Sequence, residues 1–262
     1  MIARFRTPLH PLVASHYCCC RWFFFLELMH LADCKGFSAL AYGGVLGLLL
    51  LRRSLGRTKA DRLEAVNQYM AAWYARHPGY YRMPRIRPSN LVDGSGWADL
   101  SGPAIKAANT RAFAPVLRDL SYDHFTAGSA TDDAALKLMD NLVDFYNILY
   151  TEPVFMSQPA LDRLRATCIN LGESYMVLRA ICRHNSRLFF RVTPKVHKIQ
   201  HVPLYAEVLN PRFIQVYAEE SGVGTTTTIW KASVSGRYHA HVQEVVLVKR
   251  TCGLFLRYES AE

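Results

Sequence analysis

Two histidines in the C-terminal half of the chain have the spacing that metal chemistry requires. His197 and His201 lie four residues apart, so on a helix both imidazoles face the same way. A zinc site needs three or four ligands, however, and no cysteine lies near this pair in the sequence. The pair is therefore a candidate metal site, and the alternative is a pair that packs or forms hydrogen bonds.

Acidic residues suited to hard divalent ions lie at two distant places. Glu27 and His30 are three residues apart and share one face of a helix, either as an ion pair or as a carboxylate that a histidine holds beside a metal. Glu219 and Glu220 follow a predicted extended segment, 212–217, and precede two glycines. Strand ends present acids to solvent or to a metal, but adjacent acids of this kind are also common on ordinary surfaces.

The positive charge of the chain favours a polyanionic partner, nucleic acid before an anionic membrane. The formal net charge is +10, and the basic residues form two groups. The first basic group is Arg52, Arg53, Arg57, Lys59 and Arg62, and the second is Arg76, Arg82, Arg85 and Arg87. Tyr80 and Tyr81 lie within the second group, and arginine with stackable rings suits phosphate contacts and base stacking. The alternative is a solvated, charged connection. The residues predicted to contact nucleic acid are Arg52, Arg53, Arg57, Lys59, Arg82, Arg85 and Arg87.

Several enzyme classes lack their signatures in this sequence. It contains no GxSxG motif, no phosphate-binding glycine loop and no HExxH motif. The cysteines are odd in number, seven in all, and form no CxxC pair. A reducing, intracellular location follows as the expectation. Cys168 and Cys182 are predicted to be small core residues.

Helix signals dominate the elements that must position these residues. Apolar residues at three- and four-residue spacing predict helices over 61–76, 131–150 and 158–184, and a further helical segment begins at Pro103 and is interrupted near Pro115. Thr131 is the expected N-cap of the helix over 131–150, and Ser157 is that of the helix over 158–184. Thr193 is the expected N-cap of a short helix that follows it. The fold class is therefore mostly α with a few short strands, which are expected at 188–192 and 212–217. The C-terminal segment 238–258 fits either a strand or a helix, and a helix is the preferred interpretation.

The two long helices are expected to pair as an antiparallel hairpin over 131–184, because their apolar stripes match in length and the linker is short. The apolar run 37–51 has 15 residues, against the roughly 20 that span a bilayer. A buried helix is the preferred interpretation, and membrane association is the alternative.

The domain organisation follows from composition. Residues 1–26 are predicted to be a poorly ordered N-terminal extension, and 27–90 a helical part with a basic linker. Residues 91–258 form the predicted main helical domain, with the hairpin and the Pro-Lys-x-His-x-x-x-His segment. The proline- and glycine-containing stretch 77–102 is the candidate boundary.

Three segments together resemble blocks of cut-and-paste DNA transposases whose active sites hold three carboxylates. Residues 27–36 are similar to an Asp-x-x-His-x-x-x-x-x-Gly block that carries the second catalytic acid. Residues 194–201 resemble the Pro-Lys-x-His-x-x-x-His block downstream of it, and 217–224 the acidic segment that ends in Val-Gly.

The similarity is most specific to large transposon-derived families of protist genomes. Those families share Lys35-Gly36, the block from Gly96 to Lys106, and Asn210-Pro211-Arg212. The resemblance covers most of residues 25–258.

The resemblance implies a ribonuclease-H-like core in which three carboxylates hold two Mg²⁺ or Mn²⁺ ions for phosphodiester chemistry. Glu27 takes the position of the second acid, with one methylene more than the usual aspartate, and Glu220 that of the third. No carboxylate side chain precedes Glu27 to supply the first acid. Asp33 is expected to face the same way as His30, which gives it no role as a substitute ligand.

The chain is thus expected to be a helical, C-terminal remnant of a transposase core, without catalytic activity and without a bound cofactor. Its expected partner is DNA, bound non-specifically, and its expected location the nucleus. The competing interpretation is a helical interaction protein that uses the hairpin as a partner-binding surface, with possible membrane association through 37–51. The distance between Glu27 and Glu220 separates these two hypotheses.

Overall fold

The computed structural model describes residues 28–33 and 35–214 of the chain, and these are mostly helical, as predicted. Within them the only β-structure is an isolated antiparallel bridge between Val92 and Ala98. The expected strand at 188–192 does not form, because Phe190 has a positive φ of 57° instead of an extended backbone. The expected strand at 212–217 is wrong over its described part, because Pro211–Ile214 is a 3-10 helix. Residues 215–217 and 238–258 lie outside the described residues. The α-helices are α1 (Phe37–Leu49), α2 (Lys59–Arg76), α3 (Ala107–Ala112), α4 (Ala114–His124), α5 (Ala130–Thr151), α6 (Gln158–His184), α7 (Pro194–Lys198) and α8 (Val202–Ala206).

Helix α1 is the buried helix predicted for the apolar run. All of its residues except Gly47 are buried, because a helix that is apolar on every side has no face suited to water. At Gly43 the backbone of Asp99 comes so near that a Cβ would lie 2.5 Å from its Cα, which only glycine permits. No helix in the described part of the chain is both long and apolar enough to cross a membrane.

Helix α2 begins two residues before the predicted start, at a capping box. The Thr58 hydroxyl accepts from the Asp61 backbone N–H at 3.1 Å, and the Asp61 carboxylate accepts from the Thr58 backbone N–H at 2.9 Å. Hydrogen bonds that the backbone N–H and the side chain of Thr58 donate to the Asp61 carboxylate lower the pKa of Asp61. The predicted apolar face is confirmed, since Leu63, Val66 and Trp73 are all buried.

The predicted interruption near Pro115 is also confirmed. Helix α3 ends at Ala112, and α4 begins at Ala114 with Pro115 in its first turn, where the missing N–H leaves no hydrogen bond unmade.

Helices α5 and α6 form the predicted antiparallel pair. Lys137 lies 14 residues before the end of α5, and Glu173 lies 15 residues after the start of α6. Their charged atoms are 3.9 Å apart, as expected when the two helices run side by side in opposite directions from their connection. Ser157 caps α6 as predicted. The cap of α5 is Ser129 rather than Thr131, because the chain turns earlier and directs Asp132 into the interior.

One hydrophobic core joins α1, α2 and α4 to α8. It includes residues from both sides of the predicted boundary at residue 90, such as Trp73 on α2 and Leu178 on α6, so that boundary does not separate two cores. Cys168 and Cys182 are free and buried, as predicted, and burial raises the pKa of the Cys168 thiol.

The connection between α5 and α6 is fixed by a side chain from much later in the sequence. Asn210 is fully buried, and its Nδ2 group lies 2.9 Å from the Leu149 carbonyl and 3.1 Å from the Glu152 carbonyl. Its Oδ1 atom accepts from the backbone N–H of Arg212 at 3.1 Å. The Asn210-Pro211-Arg212 segment therefore holds the hairpin connection in place.

Replacing Asn210 with alanine is expected to lower the free energy of unfolding by about 1–3 kcal/mol, because buried carbonyl groups lose their donor. Urea denaturation measures the change. Asn185→Ala is the matched control, since its Nδ2 group donates to the Ile181 carbonyl at 2.9 Å on an exposed site. Equal losses for the two variants would contradict the role given to Asn210.

Candidate nucleic-acid interface

Arg52, one of the predicted phosphate contacts, is engaged by a partner within the protein. Its guanidinium forms an ion pair with Asp132, whose side chain is only 1% exposed, and lies 5.4 Å from the centre of the Phe125 ring. The charge of Arg52 is therefore used inside the protein. The sequence alone could not show this, because the partner lies 80 residues away.

The other members of the first basic group are displayed at the entrance to α2. Arg53, Arg57 and Lys59 are exposed, and none has an ion pair within the described part of the chain. Arg62 builds the turn that presents them, because its guanidinium donates to the carbonyls of Leu50 at 2.6 Å and Arg57 at 2.9 Å.

The second basic group returns alongside α2. The Asn67 side chain accepts from the Ile86 backbone N–H at 2.8 Å and donates to the Ile86 carbonyl at 3.0 Å, which fixes 83–87 against the helix. Arg85 forms an ion pair with Glu64, so its charge is partly compensated. Arg82 and Arg87 are exposed without an ion pair among the residues described.

The two groups are thus closer in space than in sequence. Glu64, the partner of Arg85, lies five residues after Lys59, which is about 7.5 Å along a helix axis. The "basic surface" below means the five exposed side chains without an ion pair in the described residues: Arg53, Arg57, Lys59, Arg82 and Arg87.

An aromatic groove lies next to Arg82. It has a volume of about 380 Å³, and its rim carries Tyr80 and Tyr81, which are 47% and 65% exposed. Tyr80 is anchored by an edge-to-face contact with Trp73, whose ring centre is 5.1 Å away. The Trp73 indole N–H donates to Asp119 at 2.8 Å, so this end of the groove is fixed to α2 and α4.

Arginines complete the groove. Arg111 packs its guanidinium over the Tyr150 ring at 4.5 Å from the ring centre and donates to the Tyr150 hydroxyl. Arg118 lies in the same wall and forms an ion pair with Asp119 at 2.9 Å. Arginine beside an aromatic ring is the composition that binds phosphate and stacks on bases.

A buried polar cluster lies behind this wall and was not predicted. Tyr146 lines the groove, and its hydroxyl donates to Asp33 and lies 2.7 Å from the Ser38 hydroxyl. Burial and the charge of Asp33 raise the pKa of the Tyr146 hydroxyl well above its ordinary value. Tyr146 is therefore a wall of the groove whose protonated hydroxyl is held by Asp33 and Ser38.

Asp33 does not face the same way as His30, contrary to expectation. Met29–Asp33 is a π-helical turn, in which the residue repeat is wider than in an α-helix. Asp33 is 2% exposed, whereas His30 is exposed. No residue pattern in this segment indicated a π-helical turn.

The structure brings His197 and His201 together, with their Nε2 atoms 3.0 Å apart and their rings nearly perpendicular. This geometry suits an N–H···N hydrogen bond. In the described part of the chain, no group of three or more His, Cys, Asp or Glu side chains is arranged to hold a metal ion. Glu27 and Glu220, the predicted acids, lie outside the described residues, so the distance between them does not separate the hypotheses.

Two of the sequence blocks, 27–36 and 194–201, meet in space, and the block from Gly96 to Lys106 packs against α6 and the residues that follow it. The Lys195 ammonium donates to the Lys35 carbonyl at 2.9 Å, which links the second histidine block to the first. Trp97, from the central block, lies under the Arg179 guanidinium at 4.4 Å, and the Ala98 backbone N–H donates to the Leu188 carbonyl at 2.9 Å.

In comparisons with known proteins, no protein-family model, no curated protein and no solved structure matches the chain.

Proposed function

We propose that this chain binds nucleic acid, with the basic surface as the primary contact. The observation that carries the proposal is that five exposed Lys and Arg side chains lack ion pairs in the described residues while α2 and the returning segment 83–87 lie side by side. Cations without an ion pair displace the counterions condensed on the nucleic-acid phosphates that they contact, and this release drives association without base recognition.

We further propose that the chain derives from a transposase core of the ribonuclease-H-like class and no longer catalyses strand chemistry. The proposal draws on the sequence blocks and on the contact between Lys195 and Lys35. The extra methylene of Glu27 argues against activity, because it displaces a carboxylate by more than the roughly 0.2 Å that a metal site tolerates. The DNA partner and the nuclear location are part of this proposal.

Binding is expected to weaken steeply with salt. Five phosphate contacts give a slope of about −4.5 in a plot of log K against log salt concentration, measured by fluorescence anisotropy with a labelled duplex. The triple variant Arg53→Gln, Arg57→Gln, Lys59→Gln should reduce the slope by about 3.

A control with the same loss of charge removes Arg163, Arg183 and Arg187, which are exposed and outside the basic surface. If both triple variants lower the slope equally, net charge alone explains binding and the basic surface is wrongly placed. A flat salt dependence would remove the proposal altogether.

Purified protein is expected to show no nuclease or strand-transfer activity with Mg²⁺ or Mn²⁺. In the 262-residue polypeptide that is assayed, Glu27 carries one methylene more than the usual aspartate and residues 1–26 hold no carboxylate side chain. Neutral imidazoles such as that of His197 prefer softer metals. Incubation with labelled duplex and Mn²⁺ tests this. Cleavage that disappears in Glu220→Gln, but persists in the exposed control Glu207→Gln, would show that an active site exists.

A second candidate function is binding of an acidic amphipathic helix to the outer face of α6. Ile169, Met176 and Val177 are each nearly half exposed there, beside a cavity of about 630 Å³. Arg179 and Arg183 line that cavity and supply complementary charge. A labelled acidic helical peptide that binds the wild type but not Met176→Glu, while oligonucleotide binding is unchanged in that variant, would favour this function.

A further inference from the structure

The two exposed tyrosines at the groove are not explained by packing alone. Tyr81 is 65% exposed, and an exposed aromatic ring beside cations offers a face on which a planar base can stack. Tyr80 is held by Trp73, which stacks in turn on His77 with ring centres 3.9 Å apart. The rim of the groove is thus a preorganised aromatic platform.

The size of the groove selects the kind of nucleic acid. A volume of about 380 Å³ lies in the range of pockets that enclose small planar ligands. A double helix buries the faces of its bases and cannot enter such a groove, whereas an unpaired base can turn into it. Arg111 and Arg118 line the same groove, where Arg111 donates to the Tyr150 hydroxyl and Arg118 forms an ion pair with Asp119.

The groove also continues the basic surface. Tyr81 is followed directly by Arg82, and the Arg82 carbonyl accepts from the Asn109 side chain at 2.7 Å, which places this segment against α3. Tyr81 and Arg82 are therefore neighbours beside α3. A nucleic-acid strand with a phosphate on Arg82 can place its next base at Tyr81.

We propose that this groove binds single-stranded nucleic acid by stacking an unpaired base on Tyr81, with a flanking phosphate on Arg82. The inference rests on the proposed nucleic-acid binding and adds its substrate class. Stacking on an aromatic side chain contributes about 1–3 kcal/mol per base, which corresponds to roughly 5- to 150-fold in affinity.

The experiment measures anisotropy of labelled oligothymidylate about 20 nucleotides long, an abasic strand with the same phosphates, an oligouridylate, and a duplex of equal length. We expect the single strand to bind more tightly than the duplex and the abasic strand. Tyr81→Ala should remove this preference, whereas Tyr81→Phe should keep it because the ring is retained. Tyr122→Ala, at a tyrosine 53% exposed outside the groove, is the control. The uridylate arm shows whether DNA or RNA is preferred.

The outcomes separate this inference from the proposed function. Equal binding of single strand, abasic strand and duplex, with no effect of Tyr81→Ala, would overturn the stacking site and leave the basic surface intact. Loss of affinity in Tyr81→Phe as great as in Tyr81→Ala would also overturn it. Failure of every oligonucleotide to bind at low salt would overturn both proposals.

Discussion

Replacing Arg52 with alanine is expected to lower the free energy of unfolding by about 3 kcal/mol, because it leaves the buried Asp132 carboxylate without its cation. This lies at the lower end of the usual loss for a broken buried pair, since the Arg52 side chain is 34% exposed and water screens it. The Thr126 backbone N–H, which donates to Asp132 at 2.9 Å, remains as a partner. Chemical denaturation followed by circular dichroism measures the change.

Two further variants test the cause. Arg53→Ala removes an exposed neighbour without an ion pair in the described residues and should change stability by no more than about 0.5 kcal/mol. Adding Asp132→Asn to Arg52→Ala should restore part of the lost stability, because a neutral amide costs less to bury than an unpaired charge. If Arg52→Ala leaves stability unchanged but weakens DNA binding, Arg52 is a phosphate contact after all.

Replacing Leu164 with alanine is expected to lower the free energy of unfolding by about 2–5 kcal/mol. Leu164 is completely buried in the stripe that α6 packs against α5. The truncation removes apolar contacts and leaves a cavity that a close-packed helix pair does not refill. Thermal and urea denaturation should both report the loss.

Leu204→Ala is the matched control, since the same truncation is made at a side chain 55% exposed on α8. We expect a change within about 0.5 kcal/mol there. Equal effects of the two truncations would mean that the α5–α6 pair is not a core contact in solution, and would falsify the hairpin packing described above.

The helices could be read from the sequence because their signals are local. A stripe such as Leu161, Leu164 and Cys168 repeats every three or four residues, and caps such as Ser157 act within one turn. Pro115 likewise interrupts the helical segment through its own ring. The apolar periodicity of α2 does not include the capping box formed by Thr58 and Asp61. Helix α2 therefore begins earlier than the periodicity predicts.

The candidate site was predictable only in part. Clustered arginines with Tyr80 and Tyr81 indicated the region, because composition marks a basic surface. The choice among those arginines was not predictable, since ion pairing removes Arg52 and Arg85 through partners on other turns and helices. Arg111 and Tyr150 reach the groove from α3 and α5, and no short pattern connects them.

Local sequence patterns were therefore enough to predict the helical class, the positions of the long helices, and a basic, aromatic region after α2. The tertiary structure decided which charges remain outside ion pairs, which face Asp33 takes, and which side chains meet at the groove. The physical reason is range: helix propensity and capping act over a few residues, whereas burial and ion pairing depend on which distant segments the core brings together.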